Sequence, residues 1–208
     1  MAEYYLHKVG SQEMGSIGAD GKAQRGRYFF ISKIAGDFFP HLSSVVMNDK
    51  AFINIVPLRR DEELKKIVST IDYHNSKFSD IENTADHKRN ETRLYLNKEL
   101  DPEQYFVEGD IVVFQKIEDT NNADGTVYTL SKFSSGDSNY QNAYNILEEN
   151  RQKKNGFHSL FEGNISFIQV PDLTDIEVDV SDKAIELGSQ EITEIINVPL
   201  KWINSSLK

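Results

Sequence analysis

K-V-G-S-Q-E-M-G-S-I-G-A-D-G-K-A-Q-R-G-R-Y-F-F-I-S, residues Lys8 to Ser32, is the stretch on which the reading of this chain turns. It leaves the end of a strand, passes through a run rich in Gly, Ser and Gln with basic residues among its later positions, and closes on the apolar strand Tyr28 to Ile31. The pattern predicts an exposed polar arm between two strands. Its glycines let a backbone approach a ligand closely, and Ser16, Lys22, Gln24, Arg25 and Arg27 supply donors of several lengths. Such a set suits a polyanion better than a metal. The plain alternative is a hairpin loop with no ligand. A nucleotide-phosphate loop fails on spacing. Neither G-x-x-x-x-G-K-[ST] nor G-x-G-x-x-G is present, and the run leads into a strand where those motifs lead into a helix.

On either side of the arm, Glu3 to Lys8 reads as the first strand and Tyr28 to Ile31 as the second. Ser32 is placed to cap a short helix through Phe38, stopped by Pro40. Val45 to Met47 and Ala51 to Val56 read as a hairpin about the turn N-D-K. Leu64, Ile67, Val68 and Ile71 fall at helical spacing and predict an amphipathic helix over Asp61 to Tyr73. A long polar connection, His74 to Asn90, follows and ends in the basic run A-D-H-K-R-N-E-T-R before a strand at Leu94 to Leu96. Tyr105 to Ile117 gives the strongest strand signal, with E-G-D as its turn, and Thr126 to Phe133 is its partner. A second helix is predicted over Ser138 to Arg151, with Tyr140, Ala143, Tyr144 and Leu147 on one face. No internal repeat is evident. The expected organisation is a β-rich unit over residues 1–135 and an appendage over 136–208, helical and then acidic.

The 208 residues suffice for one well-buried core with a substantial appendage. With no cysteine, there is no disulfide framework, thiolate zinc site or cysteine nucleophile. The absence of a signal-peptide pattern at M-A-E-Y-Y-L-H-K and of any membrane-length apolar run makes a soluble, cytoplasmic protein the expectation. A net charge of -10 would ordinarily argue against a nucleic-acid partner. The charge is uneven, however. Residues 1–33 and 85–98 each carry a net of +2, whereas residues 162–195 carry nine acids and one Lys. Basic surface can therefore coexist with an acidic chain.

Three segments resemble a known family. Gly15 to Ser32 is similar to the N-arm of the amino-terminal effector domain of EcoRII-type restriction endonucleases, part of the DNA-binding pseudobarrel family shared with B-three plant transcription factors. F-F-P at Phe38 to Pro40 follows where that family has a short helix and a Phe-Pro step. H-K-R-N-E-T-R, His87 to Arg93, resembles its basic C-arm, and G-D-I-V-V-F, Gly109 to Phe114, resembles a strand start frequent in the plant branch. The resemblance covers roughly residues 3–135. It implies a mostly β, α+β fold, an open seven-stranded barrel with two flanking helices, whose two arms enter the DNA major groove from either side. Carried over by position, it implicates Ser16, Lys22, Gln24 and Arg25 in the first arm and Lys88, Arg89, Asn90, Thr92 and Arg93 in the second. The chemistry of these side chains agrees. Arg pairs with guanine O6 and N7, Asn or Gln with adenine N6 and N7, and Lys is a mobile charge suited to phosphate. Glu91 can accept from cytosine N4 or hold Arg89 or Arg93 in place, and the second role fits better.

Other chemistries fare less well. Asp110 with Gln115-Lys116, and Glu177, Asp179, Asp182 and Lys183, lack the acid, gap, acid-x-Lys layout of a magnesium-dependent nuclease. A turn carboxylate and a solvated acidic face are the simpler readings. The five His are scattered without metal-ligand spacing, and no nucleophilic triad can be assembled. The pairs Tyr4-Tyr5 and Phe29-Phe30 put one ring on each strand face, either to stack on single-stranded bases or to cover a neighbouring element. The expected function is sequence-specific binding of double-stranded DNA as the specificity domain of a restriction system. No cofactor or metal is expected, and the nuclease or translocase would be a separate domain or subunit. A complete nuclease with its metal site in the acidic C-terminal third, and a protein-interaction module using that acidic tail, are the alternatives.

Overall fold

The computed structural model describes residues 1–17, 23–60, 62–75, 91–118, 126–151, 157–168 and 178–179. Its strands are β1 Ala2–Lys8, β2 Ser16–Ile17, β3 Ala23–Arg25, β4 Tyr28–Ile31, β5 Lys50–Pro57, β6 Lys66–His74, β7 Glu91–Tyr95, β8 Ile111–Glu118 and β9 Thr126–Phe133. Helix α1, Tyr140–Asn150, precedes β10 His158–Gly163 and the short β11 Val178–Asp179. One sheet runs in the order β10-β1-β8-β9-β5-β6-β7-β4, with β11 paired to β6, while β2 and β3 form a separate small hairpin. The neighbours along the path are antiparallel except β5 and β9, which run parallel from Asn54↔Val127 to Pro57↔Leu130.

Alternation along the strands builds the interior. Tyr5 of β1, Phe29 and Ile31 of β4, Ile53 and Ile55 of β5, Ile71 of β6, Leu94 of β7, Phe114 of β8 and Tyr128 of β9 converge on one core. Side chains from both ends of the strand order share that core, so the sheet curls into an open barrel. Its two edges meet through side chains. The Tyr5 hydroxyl accepts the Ser32 backbone N–H at 2.9 Å and donates to Nδ1 of His158 at 2.7 Å, joining β1, β10 and the end of β4. The Phe30 ring reaches His158 with centroids 5.5 Å apart. Burial raises the Tyr5 hydroxyl well above the usual tyrosine range and keeps it a neutral donor.

The outer face of β1 and β8 is also buried. Tyr4, Leu6, Ile111 and Val113 pack against Ala143 and Leu147 of α1 and against Ile165 and Ile168. Both Tyr4 and Tyr5 therefore cover neighbouring elements, and neither is a stacking platform. The helix expected over 138–151 is present with its predicted face inward. No helix among the described residues is long and apolar enough to cross a membrane.

Asp61 to Tyr73 departs from expectation. Residues 62–65 have no regular structure and 66–74 form β6, in which Ile67, Ser69 and Ile71 alternate inward. Pairing to β5 and β7, together with β-branched Ile67, Val68, Thr70 and Ile71, outweighs the helical spacing. Only one of the two flanking helices thus stands among the described residues. The helix after Ser32 shortens to the three-residue 3-10 turn Lys33–Ala35, with Ser32 Oγ accepting from the Ile34 N–H at 3.4 Å. Val45 to Met47 form an exposed turn in place of a strand. Residues 105–110 are irregular, so β8 begins only at Ile111. Strand β10 was not anticipated.

Candidate nucleic-acid interface

The first arm has two anchored roots. After β1 the chain turns through Ser11–Glu13, and the buried Glu13 carboxylate faces three donors. Nε2 of His7 lies 2.8 and 2.9 Å from its two oxygens, and the backbone N–H groups of Gly10 and Phe30 donate at 2.6 and 2.5 Å. One side chain thereby ties the end of β1 to the middle of β4. Gly15, at φ 72, turns the chain into β2, a conformation a side chain would strain. The hairpin then pairs Ser16 with Arg25 and Ile17 with Ala23. At the far root, Arg27 donates to Asp101 at 2.5 Å, to the Met14 carbonyl at 3.0 Å and to the Phe106 carbonyl at 2.5 Å. Arg27, read from sequence as one donor among several, is the clasp that closes the stem. Of the expected contacts here, Ser16 is half-buried in β2, Gln24 and Arg25 fall in β3, and Lys22 lies outside the described residues.

The second arm joins β6 to β7. Lys88, Arg89 and Asn90 lie outside the described residues, as does His87. Thr92 and Arg93 are in β7, where Thr92 shares the inward alternation with Leu94 and Arg93 points outward. The Arg93 guanidinium donates to Glu91 at 2.8 Å and lies 4.5 Å from the Tyr28 ring centroid. Desolvation disfavours its charge, but Glu91, Tyr28 and Tyr95 outweigh that and raise its pKa. With 12% of its side chain exposed, it is held rather than extended. Glu91 thus plays the positioning role preferred from sequence. Asp72 stands opposite Arg93 on β6, and burial raises its carboxyl above the usual range. Tyr95 beside it is raised by burial and then by the Asp72 charge.

Register fixes how the arms relate. The first arm enters β4 at Tyr28, which pairs with Tyr95 at the end of β7, while the second enters β7 at Glu91, just beyond the pair Ile31↔Thr92. The arms therefore leave opposite ends of one two-stranded ribbon. At about 3.3 Å per residue the separation is roughly 13 Å, close to the ~12 Å width of a major groove. The outer face between them carries Tyr28, Tyr95, Arg93, Asp72 and, opposite Asp72 on β5, Lys50.

The nuclease candidates resolve differently. Buried Asp110 accepts from the Val107 N–H at 3.0 Å and the Ser134 hydroxyl at 2.8 Å, with Lys132 at 3.8 Å, so it organises a turn. Lys116 donates to the Asp37 carbonyl at 3.1 Å. Asp179 falls in β11, while Glu177, Asp182 and Lys183 lie outside the described residues. Among the described residues no three His, Cys, Asp or Glu gather as a metal site. His7 and His158 instead stack on each other, both buried.

No family model matches the sequence. No curated protein matches it either. Among solved structures, two have a similar fold. One such structure is the B3 domain of the UbaLAI restriction endonuclease with cognate DNA, at TM-score 0.43 and 14% identity over 76% of this chain and 86% of that one. Another is the N-terminal domain of Helicobacter pylori LlaJI.R1, at TM-score 0.42 and 14% identity over 78% of this chain and 99% of that one.

Proposed function

We propose that this chain binds double-stranded DNA sequence-specifically, straddling the major groove with its two arms, as the specificity domain of a restriction system. The observation that carries the reading is the departure of the two arms from opposite ends of the β4–β7 ribbon, at a groove-sized spacing. The anchored stem at Glu13 and Arg27 supports it, because a reading head needs a rigid base. Arg89 and Asn90 read base edges, and Lys22 and Lys88 contact phosphates and set register. Gln24 and Arg25, in β3 where Arg25 pairs with Ser16, carry the amide and guanidinium chemistry suited to base edges. Arg93 and Thr92 sit at the root of the second arm. The nuclease or translocase belongs to another domain or subunit.

Selection from a randomised duplex pool followed by a salt titration tests this. Contact with about six phosphates gives a log-log salt slope of roughly -5. A flat titration, or a pool that yields no preferred sequence, rules the proposal out.

A further inference from the structure

Arg27 grips two points of one segment, Asp101 and the Phe106 carbonyl, so the set of the first arm depends on how residues 97–106 are held. That segment is strained. Glu103 and Gln104 take φ 51 and 61, a left-handed conformation that side chains disfavour and that persists only where the surroundings enforce it. Part of the enforcement comes from Asn97, whose Nδ2 donates to the Val68 carbonyl at 2.8 Å and whose Oδ1 accepts the Leu100 N–H at 2.8 Å. The rest comes from Arg59, two residues past the end of β5. Its Nη2 donates to the Glu99 carbonyl at 2.9 Å and to the Leu100 carbonyl at 2.7 Å, Nη1 donates to Glu62 at 3.1 Å, and the guanidinium lies 5.0 Å from the Tyr105 ring centroid. With 9% of its side chain exposed, Arg59 is committed to the protein and not to a phosphate.

We infer that Arg59 is a positioning residue of the first arm: through residues 97–106 it sets the direction in which the arm leaves the barrel, and so which base pairs the arm reads. The inference rests on the functional reading above. The path is short and continuous. Arg59 fixes the carbonyls of residues 99 and 100, Asp101 follows them in the chain, Asp101 holds Arg27, and Arg27 holds the Met14 carbonyl at the near side of the stem. Burying a guanidinium is costly. What it supplies here is one fixed geometry for two successive carbonyls, which a mobile ammonium does not give. A reading head needs such a support, because its side chains act only when their base is held to within about 0.5 Å.

The selected duplex, with its base pairs substituted one at a time, provides the test. Base pairs whose preference is lost in Gln24→Ala or Arg25→Ala belong to the first arm, and those whose preference is lost in Arg89→Ala or Asn90→Ala belong to the second. Arg59→Ala should cut the preference at the first set by about tenfold and leave the second set as in the wild-type chain. Arg59→Lys keeps the charge without the planar fork and should show the same pattern to a smaller extent, which carries the test if Arg59→Ala does not fold. A purely structural role would instead lower the folded fraction and weaken binding at both sets alike. Equal weakening at both sets, or an unchanged profile in both Arg59 variants, overturns the inference and leaves the two-armed reading in place. If the wild-type chain selects no duplex, or the Gln24 and Arg25 variants lose no preference, the functional reading fails first and takes this inference with it.

Discussion

The imidazoles of His7 and His158 lie 4.4 Å apart and within 9° of parallel, although they belong to different strands. His158 Nδ1 lies 2.7 Å from the Tyr5 hydroxyl. Burial first, and the neighbouring His7 second, lower its pKa from 6.5 to about 3. The unfolded chain therefore takes up this proton well before the folded chain does. Stability is full above pH 6.5 and is lost as pH falls towards 3, by up to about 1.4 kcal/mol per pH unit. Urea denaturation between pH 7 and 4 should show this slope, and His158→Gln should flatten it by comparison. Parallel pH profiles for the two proteins would contradict the assignment.

Glu13→Gln should destabilise the fold by about 2–4 kcal/mol, because an amide has one acceptor oxygen where two backbone donors and an imidazole now converge. Equilibrium unfolding measures the loss. An unchanged midpoint would mean that the first arm is not rooted through this carboxylate.

Arg27→Ala should cost about 3 kcal/mol of stability, since it leaves the buried Asp101 carboxylate without its ion-pair partner. Lys22→Ala should leave stability within about 0.5 kcal/mol. It should instead weaken all duplexes equally and make the salt slope shallower by about one. Two basic residues five positions apart in sequence should thus differ, Arg27 acting on stability and Lys22 on binding. A Lys22→Ala variant that lost stability, or one that lost affinity for only one sequence, would merge the two roles.

In the second arm, Arg89→Ala and Asn90→Ala should each lose about 1–3 kcal/mol on the selected site and little on random DNA. Lys88→Ala should weaken both alike. Arg93→Ala should act first on the protein, lowering the unfolding midpoint, because its guanidinium already serves Glu91 and the Tyr28 ring. An Arg93→Ala variant of unchanged midpoint that bound the selected site no better than random DNA would instead make Arg93 a reader.

Where the sequence spoke clearly, one pattern was written between strong turns. β8 and β9 are runs rich in apolar and β-branched residues, β4 is four consecutive apolar residues, and α1 shows its face at Tyr140, Ala143, Tyr144 and Leu147. β6 was hidden by a polar residue at an inward position. Buried Ser69 satisfies its hydroxyl on the Tyr95 carbonyl at 2.5 Å, which removes the middle apolar mark and leaves Ile67, Val68 and Ile71 at helical spacing. β10 was hidden likewise, because its buried positions begin with His158 and Ser159. In the site, the arms were legible as composition. Their anchors were not, because Glu13 and Arg27 sit in a polar run where nothing marks them as buried or latched. The G-x-x-E spacing from Gly10 to Glu13 was the one available sign, and it becomes informative only once Phe30 is brought alongside.

The parallel pairing of β5 with β9 joins residues more than seventy positions apart, with β6, the second arm, β7 and β8 between them. During synthesis, β5 therefore leaves the ribosome long before the neighbour that completes one of its edges, and the barrel wall cannot close until Phe133 has been translated. A nascent chain halted before Thr126 would carry both arms and still have no finished surface to hold them.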